Sequence, residues 1–299
     1  MGIIRAFTGA FKSVLKEQWK ESFYMDSIPE DILMLRGMKR IGKNSSNTRA
    51  DDGIITNGSV ISVANGQAVI AVAGGKVIDT FFTPGEHIFH DPERKGGIKG
   101  FFRDVRFRVG FGGGDIQPFT HRLYYVNIKE MPGGFSIPAS VPVHIKDRVT
   151  GLDADINIII KGGYTFKVTD PARLYRGVTG NIESSYPAQG LIKHINSLML
   201  TALGPAIEDL TEAGLRPSGL PSVIPELSEG IRKNLSRMTE DRYGITVVSV
   251  NIEALYVPDL AMVQELEKAA VLRDPDMAIA YMTAARADAM KAAAENTLS

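Results

Sequence analysis

Between residues 53 and 89 the chain alternates short β-branched apolar runs with turn dipeptides: GIITNGSVISVANGQAVIAVAGGKVIDTFFTPGEHIF. Residues 60–64 and 68–72 flank Asn65-Gly66, a dipeptide that tolerates the positive φ angles of a tight hairpin. Gly74-Gly75 and Pro84-Gly85 offer two more reversals. This spacing predicts an antiparallel meander rather than a catalytic loop. Upstream, Ile4, Phe7, Phe11, Val14, Leu15, Trp19 and Phe23 recur three and four residues apart, which predicts an amphipathic helix over 3–23. Arg5, Lys12, Lys16 and Lys20 lie mainly off that face, against only Glu17 and Glu21. A bulky aromatic and aliphatic face with basic flanks suits a helix lying in a membrane interface. The competing reading packs the same face on the domain or on a neighbouring subunit.

Residues 26–52 read as a mixed connector, with a short strand at 32–35 and a polar, turn-like loop at 42–52. A basic, Gly-rich loop follows the meander at 91–100. Strands are predicted at 105–111 and 122–129, with Gly112, Gly113 and Gly114 as a turn between them. Residues 132–142, punctuated by Pro and Gly, read as a crossing between sheet layers. Residues 141–146, 154–161 and 164–169 read as strands, with Gly162-Gly163 turning between the last two. Asp170-Pro171 combines an N-cap with a proline at the first helical position, so a short helix opens there.

Beyond 170 the period becomes helical. Leu191, Ile195, Leu198, Met199 and Ala202 mark one helix. Leu227, Ile231, Leu235 and Met238 mark the next, which Gly244 should stop. Residues 245–257 are too β-branched for a helix and read as a strand. Pro258-Asp259 starts a further helix, Asp274-Pro275 interrupts it, and an Ala-rich helix runs on. The apolar face of 277–294 is narrow, so this helix gains from packing on copies of itself. The element order predicts an α+β fold. Its parts are an amphipathic helix over 1–25, a connector over 26–52, a β-rich then mixed domain over 53–257, and a C-terminal oligomerisation helix over 258–299.

Composition narrows the function. Thirty-four basic residues balance 34 acidic ones, which argues against a dedicated nucleic-acid binder. There is no cysteine, hence no disulfide, thiol nucleophile or cysteine-ligated zinc; a reducing cytoplasm fits. No stretch approaches the ~18–20 apolar residues of a spanning helix. The N-terminus is no secretory signal, because charges interrupt its apolar residues. Ala6 stands where a myristoylation signal needs Ser or Thr.

Candidate chemistry is sparse. His87 and His90 are three residues apart with Asp91 following, but in a strand context such residues face opposite sides, which disfavours a metal site. Residues 110–114 are glycine-rich without being a phosphate-binding loop. Asp51-Asp52, Asp153 and Asp155 are paired carboxylates read as solvated loop charge without an acid–base partner. Arg94, Lys95 and Lys99 could touch anionic headgroups, though a plain solvated loop is the simpler reading. No catalytic residue, cofactor or metal is expected.

Several short motifs occur in order. They are Gly75-Lys76 and Pro84-Gly85; Tyr164, Phe166, Val168, Asp170 and Pro171 with Leu174-Tyr175 after them; then Tyr243-Gly244-Ile245-Thr246-Val247 and Pro258. Together they resemble the SPFH domain of stomatins, prohibitins and flotillins over roughly 53–272. The segments FRVGFGGG (107–114), LYYVNIKE (123–130) and DRVTGLDADINIII (147–160) resemble its bacterial soluble, virion-core-like branch. That resemblance implies a non-enzymatic, peripheral membrane scaffold on the inner face of the cell membrane. It further implies homo-oligomers and phage-shock-type membrane-stress proteins as partners. Many members of the branch end in a zinc ribbon, which a chain without cysteine does not supply. On this reading the lipid-facing residues are Ile4, Phe7, Phe11, Val14, Leu15, Trp19 and Phe23, flanked by Lys12, Lys16 and Lys20. The alternative is a soluble oligomeric adaptor whose N-terminal helix docks on a partner protein, with an enzyme of unknown reaction third.

Overall fold

The computed structural model describes residues 21–40, 55, 58–90, 121–147, 151–180, 182, 184–214 and 216–296. The fold is α+β. The chain forms two compact units that interleave in sequence: residues 1–130, 167–191 and 240–245 in the first, and 131–166, 192–239 and 246–299 in the second.

Unit 1 contains two sheets. One carries the strands β1 (Ser22–Tyr24), β3 (Met38–Arg40), β4 (Val60–Val63) and β7 (Gly85–Ile88), in the order β3-β1-β4-β7. The other has the order β11-β2-β8-β5-β6. Its strands are β2 (Ile32–Arg36), β5 (Gln67–Ala73), β6 (Lys76–Phe81), β8 (His121–Asn127) and β11 (Ser185–Pro187). Phe23, Ile61 and Val63 from the first sheet share a core with Val69, Ala71, Leu123 and Tyr125 from the second. Apolar residues that alternate along each strand thus meet between two layers, as in a sandwich.

The predicted meander is corrected here. Only Gly74-Gly75 closes a hairpin, pairing β5 with β6. The Asn65-Gly66 and Pro84-Gly85 turns carry the chain between sheets instead: β4 pairs with β7, and β5 pairs with β8. Turn dipeptides specify a reversal, whereas the choice of partner strand depends on which apolar face finds the core.

Within the segment 26–52, the strand expected at 32–35 is present as β2 and belongs to the core. Leu33 and Met34 are fully buried, and β2 sits between β8 and β11. Phe23 is likewise a core residue of β1, 2% exposed, and not part of a helical lipid-facing stripe. Its helical spacing with Trp19 is coincident with a three-residue strand that pairs antiparallel with β3 and parallel with β4.

Unit 2 is built on β9 (Met131–Asp147), β10 (Leu152–Val168) and β12 (Ile245–Tyr256), in the order β12-β10-β9. Residues 132–142 do not cross between layers. They continue β9, which pairs with β10 from Leu152↔Asp147 to Phe166↔Met131 with one register shift between Ile158 and Ile160. Gly162-Gly163 does not turn either. A Cβ on Gly162 would run into the carbonyl of Asn251, so glycine is needed there for close strand approach. Along β10, Ile156, Ile158, Ile160, Tyr164 and Phe166 point inward, while Asp153, Asp155, Lys161 and Thr165 alternate with them.

Five α-helices follow among the described residues. Helix α1 (Pro171–Leu174) runs into a π turn (Tyr175–Thr179). The others are α2 (Ala188–Glu212), α3 (Ile224–Tyr243), α4 (Leu260–Val271) and α5 (Pro275–Asn296). The predicted periodic residues Leu191, Ile195, Met199, Leu227, Ile231 and Leu235 are all buried. In unit 2, α2 approaches α3 closely at Gly230, where a Cβ would lie 3.0 Å from that of Ala206. The single C-terminal helix divides at Asp274-Pro275, as the sequence indicated; Asp274 Oδ1 accepts from the amides of Asp276 and Met277.

The Asp170 cap is present. Its Oδ1 accepts from Arg173 N at 2.8 Å, and Pro171 occupies the first turn. Gly244, at φ +67, ends α3 and presents its carbonyl to the amides of Thr169 and Asp170, both at 2.9 Å. Asp170→Ala should therefore lower stability by about 0.5–2 kcal/mol, read as a reduced urea midpoint. Gly244→Ala should cost more, because its Cβ would meet Asp170 and Arg173 in a left-handed conformation. An Asp170→Ala protein with an unchanged midpoint would mean that the cap contributes nothing.

Candidate membrane and assembly surfaces

Ile4, Phe7, Phe11, Lys12, Val14, Leu15, Lys16, Trp19 and Lys20 lie outside the described residues, as do the 42–52 and 91–100 loops and the 105–114 segment. The described structure begins at Glu21, which the sequence reading placed on the polar side of a helix. It is instead buried. Its backbone carbonyl accepts from Val60 N at 3.0 Å. Its Oε1 accepts from Ser59 Oγ at 2.8 Å, and its Oε2 lies 2.6 Å from Lys39 Nζ. Both charged side chains are sealed from solvent. This pair ties the residue before β1 to β3 and to the start of β4. Nothing in the sequence marked it, because two lone charges 18 residues apart look like ordinary surface residues.

The C-terminal end offers a different surface. Met262, Leu266, Leu272, Ile279, Tyr281, Met282 and Met290 are exposed on α4, on α5 and in the turn between them. Helix α4 is anchored by Val263, Ala270 and Val271 and by Glu267, whose carboxylate accepts from Ser218 N at 2.8 Å and Ser218 Oγ at 2.7 Å. Helix α5 has no buried residue among its described side chains. At 3.6 residues per turn, its exposed Ile279, Met282 and Met290 fall on one narrow side of the helix.

Two concavities lie elsewhere. A groove of about 530 Å³ between α2 and α3 is lined by Asp209, Glu226, Glu229 and Lys233 above Ala206 and Gly230. Arg232 donates two hydrogen bonds to Glu229, and the Arg232 guanidinium holds that carboxyl below its ordinary range. A smaller polar pocket of about 220 Å³ lies at the Asn65-Gly66 turn.

The histidine and carboxylate candidates also resolve. His87 Nε2 lies 2.6 Å from the Thr83 carbonyl, and its ring rests near that of Phe81. Asp153 and Asp155 are not in a loop. They stand on β10 across from Lys146 and His144 of β9, with His144 Nδ1 3.0 Å from Asp155 and Nε2 3.3 Å from Asp153. These are exposed cross-strand charge pairs, worth little to stability. Among the described residues no three His, Asp or Glu side chains gather to hold a metal ion. Nor is any described helix long and apolar enough to cross a membrane.

The described geometry is that of α+β units followed by a helix with no buried side chain among those described. The chain belongs to the SPFH domain-Band 7 family, whose model matches residues 48–274. That span takes in parts of both units and the motifs at 164–175 and 243–247, leaves out β1, β2 and β3, and ends at the break between α4 and α5. No curated protein matched the chain.

The Glu21–Lys39 pair yields a test. Lys39→Met leaves a carboxylate buried without its cation and should cost about 3–5 kcal/mol. Adding Glu21→Gln should recover most of that loss, because the double variant buries no net charge. Equilibrium urea unfolding of the single and double variants measures both. A loss below about 1 kcal/mol for Lys39→Met, the value of an exposed pair, would show that water reaches Glu21.

Proposed function

We propose that this protein is a peripheral membrane scaffold without catalytic activity. It self-assembles on the cytoplasmic face of the cell membrane and recruits membrane-stress proteins of the phage-shock type. Membership of the SPFH family supports the membrane association. The observation that carries the assembly is α5. A 22-residue helix with no buried side chain among those described is marginal alone in water. It gains stability once Ile279, Met282 and Met290 are covered by other copies. The N-terminal stripe of Phe7, Phe11 and Trp19 with Lys12, Lys16 and Lys20 supplies a shallow lipid contact. Each chain then binds weakly, and assembly multiplies the weak contacts into firm attachment.

The buried β1 sets how this must be tested. A deletion reaching residue 25 would strip Phe23 and Met25 from the core, so the informative variant lacks residues 1–20. In liposome flotation the full chain should rise with vesicles and this variant should not. Phe7→Glu or Phe11→Glu should weaken binding roughly tenfold to a hundredfold, the loss of about 1.5–3 kcal/mol of apolar burial. Flotation by neither the full chain nor the variant would favour the soluble adaptor. In light scattering at micromolar concentration the full chain should have the mass of a large oligomer, and Ile279→Asp with Met282→Asp should reduce it. A monomeric mass in solution and on lipid sinks the scaffold.

A further inference from the structure

The described sheets end in six edge strands: β3, β7, β9, β12, β11 and β6. A sheet edge presents a row of backbone donors and acceptors to any extended chain, and proteins blunt it with short strands, charges or proline. Five of the six are blunted. β3, β7 and β11 have only three or four residues. β6 carries Lys76 and Asp79 within six residues. β9 is 17 residues long but holds Pro132, Pro138 and Pro142, none of which has an N–H to give. The Gly133 carbonyl lies towards Gly163 of β10, whereas the Gly134 carbonyl accepts from Asn196 Nδ2. Pro132, two residues from Gly134, shares its direction away from β10.

β12 is the exception. It runs for 12 residues without proline and with one charge, Glu253. It has a neighbouring strand on one side only, β10. Ser249 Oγ lies 2.7 Å from Thr165 Oγ1, and Glu253 lies 3.8 Å from Lys161. These contacts make the two strands antiparallel and set Ser249 and Glu253 on the solvent face. Val248 and Val250 therefore share the opposite face with Tyr164 and Phe166. Tyr164 and Phe166 are buried there, but Val248 and Val250 are only half-buried. The apolar face of the sheet thus runs on to its last strand and stops uncovered.

We propose that β12 is a dimerisation edge, pairing antiparallel with β12 of a second copy to make one six-stranded sheet. The proline-blunted β9 of another copy cannot serve, so head-to-tail addition within this sheet is closed and a two-fold contact remains. An axis at Val250, near the middle of the strand, sets Val248 opposite Ile252 of the other copy. It sets Glu253 opposite Val247, which keeps the two carboxylates apart. Roughly six main-chain hydrogen bonds form between residues 248 and 252 of the two strands, and the half-buried valines are covered. This contact is independent of α5, and an assembly using both would be built from dimers.

The test uses the full chain. It has no cysteine, so Asn251→Cys introduces a single exposed thiol on β12. Two such thiols would lie about 7–8 Å apart across the axis, and a short bismaleimide should give a covalent dimer on a denaturing gel. Ser136→Cys on the β9 edge should not. Light scattering of the Ile279→Asp, Met282→Asp chain, in which the α5 contact is broken, should give a dimer mass. Val250→Lys added to it should weaken dimerisation at least tenfold. Asn251→Cys changes only an exposed side chain, so the cross-link remains decisive should Val250→Lys fail to fold. No covalent dimer from Asn251→Cys, or equal cross-linking from Ser136→Cys, overturns the proposal. A monomer mass for the α5-broken chain at micromolar concentration does the same. None of these measurements needs lipid, so their failure is distinct from failure of the membrane scaffold.

Discussion

One glycine carbonyl joins the 240–245 segment to the end of β10 in the first unit. Gly244 ends α3 in a left-handed conformation, and its oxygen accepts from the amides of Thr169 and Asp170. Arg173 reinforces the same junction by donating from Nη1 to the carbonyl of Glu240 at 2.8 Å. An α-helix leaves its last carbonyls without intrahelical partners. Here those orphan acceptors meet the amides at the end of one strand and the guanidinium of a capped helix. The chain segment that returns to unit 1 after more than forty residues elsewhere is therefore pinned by backbone bonds rather than by apolar contact alone. A side chain at 244 would collide with the backbone of Asp170, which explains why glycine stands there.

Around that junction, buried polar groups of unit 1 find partners within the sandwich, Gln67 Oε1 excepted. Tyr125 Oη donates to the Ser62 carbonyl at 3.0 Å, and burial pushes its phenol above the ordinary range. Tyr124 stacks near Tyr175 and donates to the Ile182 carbonyl. Glu21 and Lys39 neutralise each other out of reach of water. Taking both charges out of solvent is costly, and such pairs add specificity of register more than stability. In this fold the pair stands at the start of β1.

Unit 2 shows the contrary economy. Its sheet buries one face of β10 and leaves the other to exposed pairs such as Lys161 with Glu253 and Thr165 with Ser249. Tyr164 ties the buried face to α2 through Asn196, which in turn holds the Gly134 carbonyl. Then α4 and α5 depart with their Met and Ile residues uncovered. The described cores are closed, whereas the tail leaves Ile279, Met282 and Met290 exposed to solvent.

The sequence by itself determined what depends on local rules. Period-2 alternation marked Tyr164, Phe166 and Val168, helical spacing marked Leu191 to Ala202 and Leu227 to Leu235, and Asp-Pro and Tyr-Gly marked the caps, all of which the structure bears out. The α+β class followed from the order of those elements, and the SPFH family from the order of the motifs. Only the tertiary structure decided which strand pairs with which, because Asn65-Gly66 reads the same whether it closes a hairpin or passes the chain to another sheet. It also decided that Phe23 is core, that Pro132 to Pro142 lie within one long strand, and that Gly162 is a close contact rather than a turn. The buried Glu21–Lys39 pair was invisible for the same reason. Burial and partnership belong to residues distant in sequence, and no local pattern encodes the distance between them.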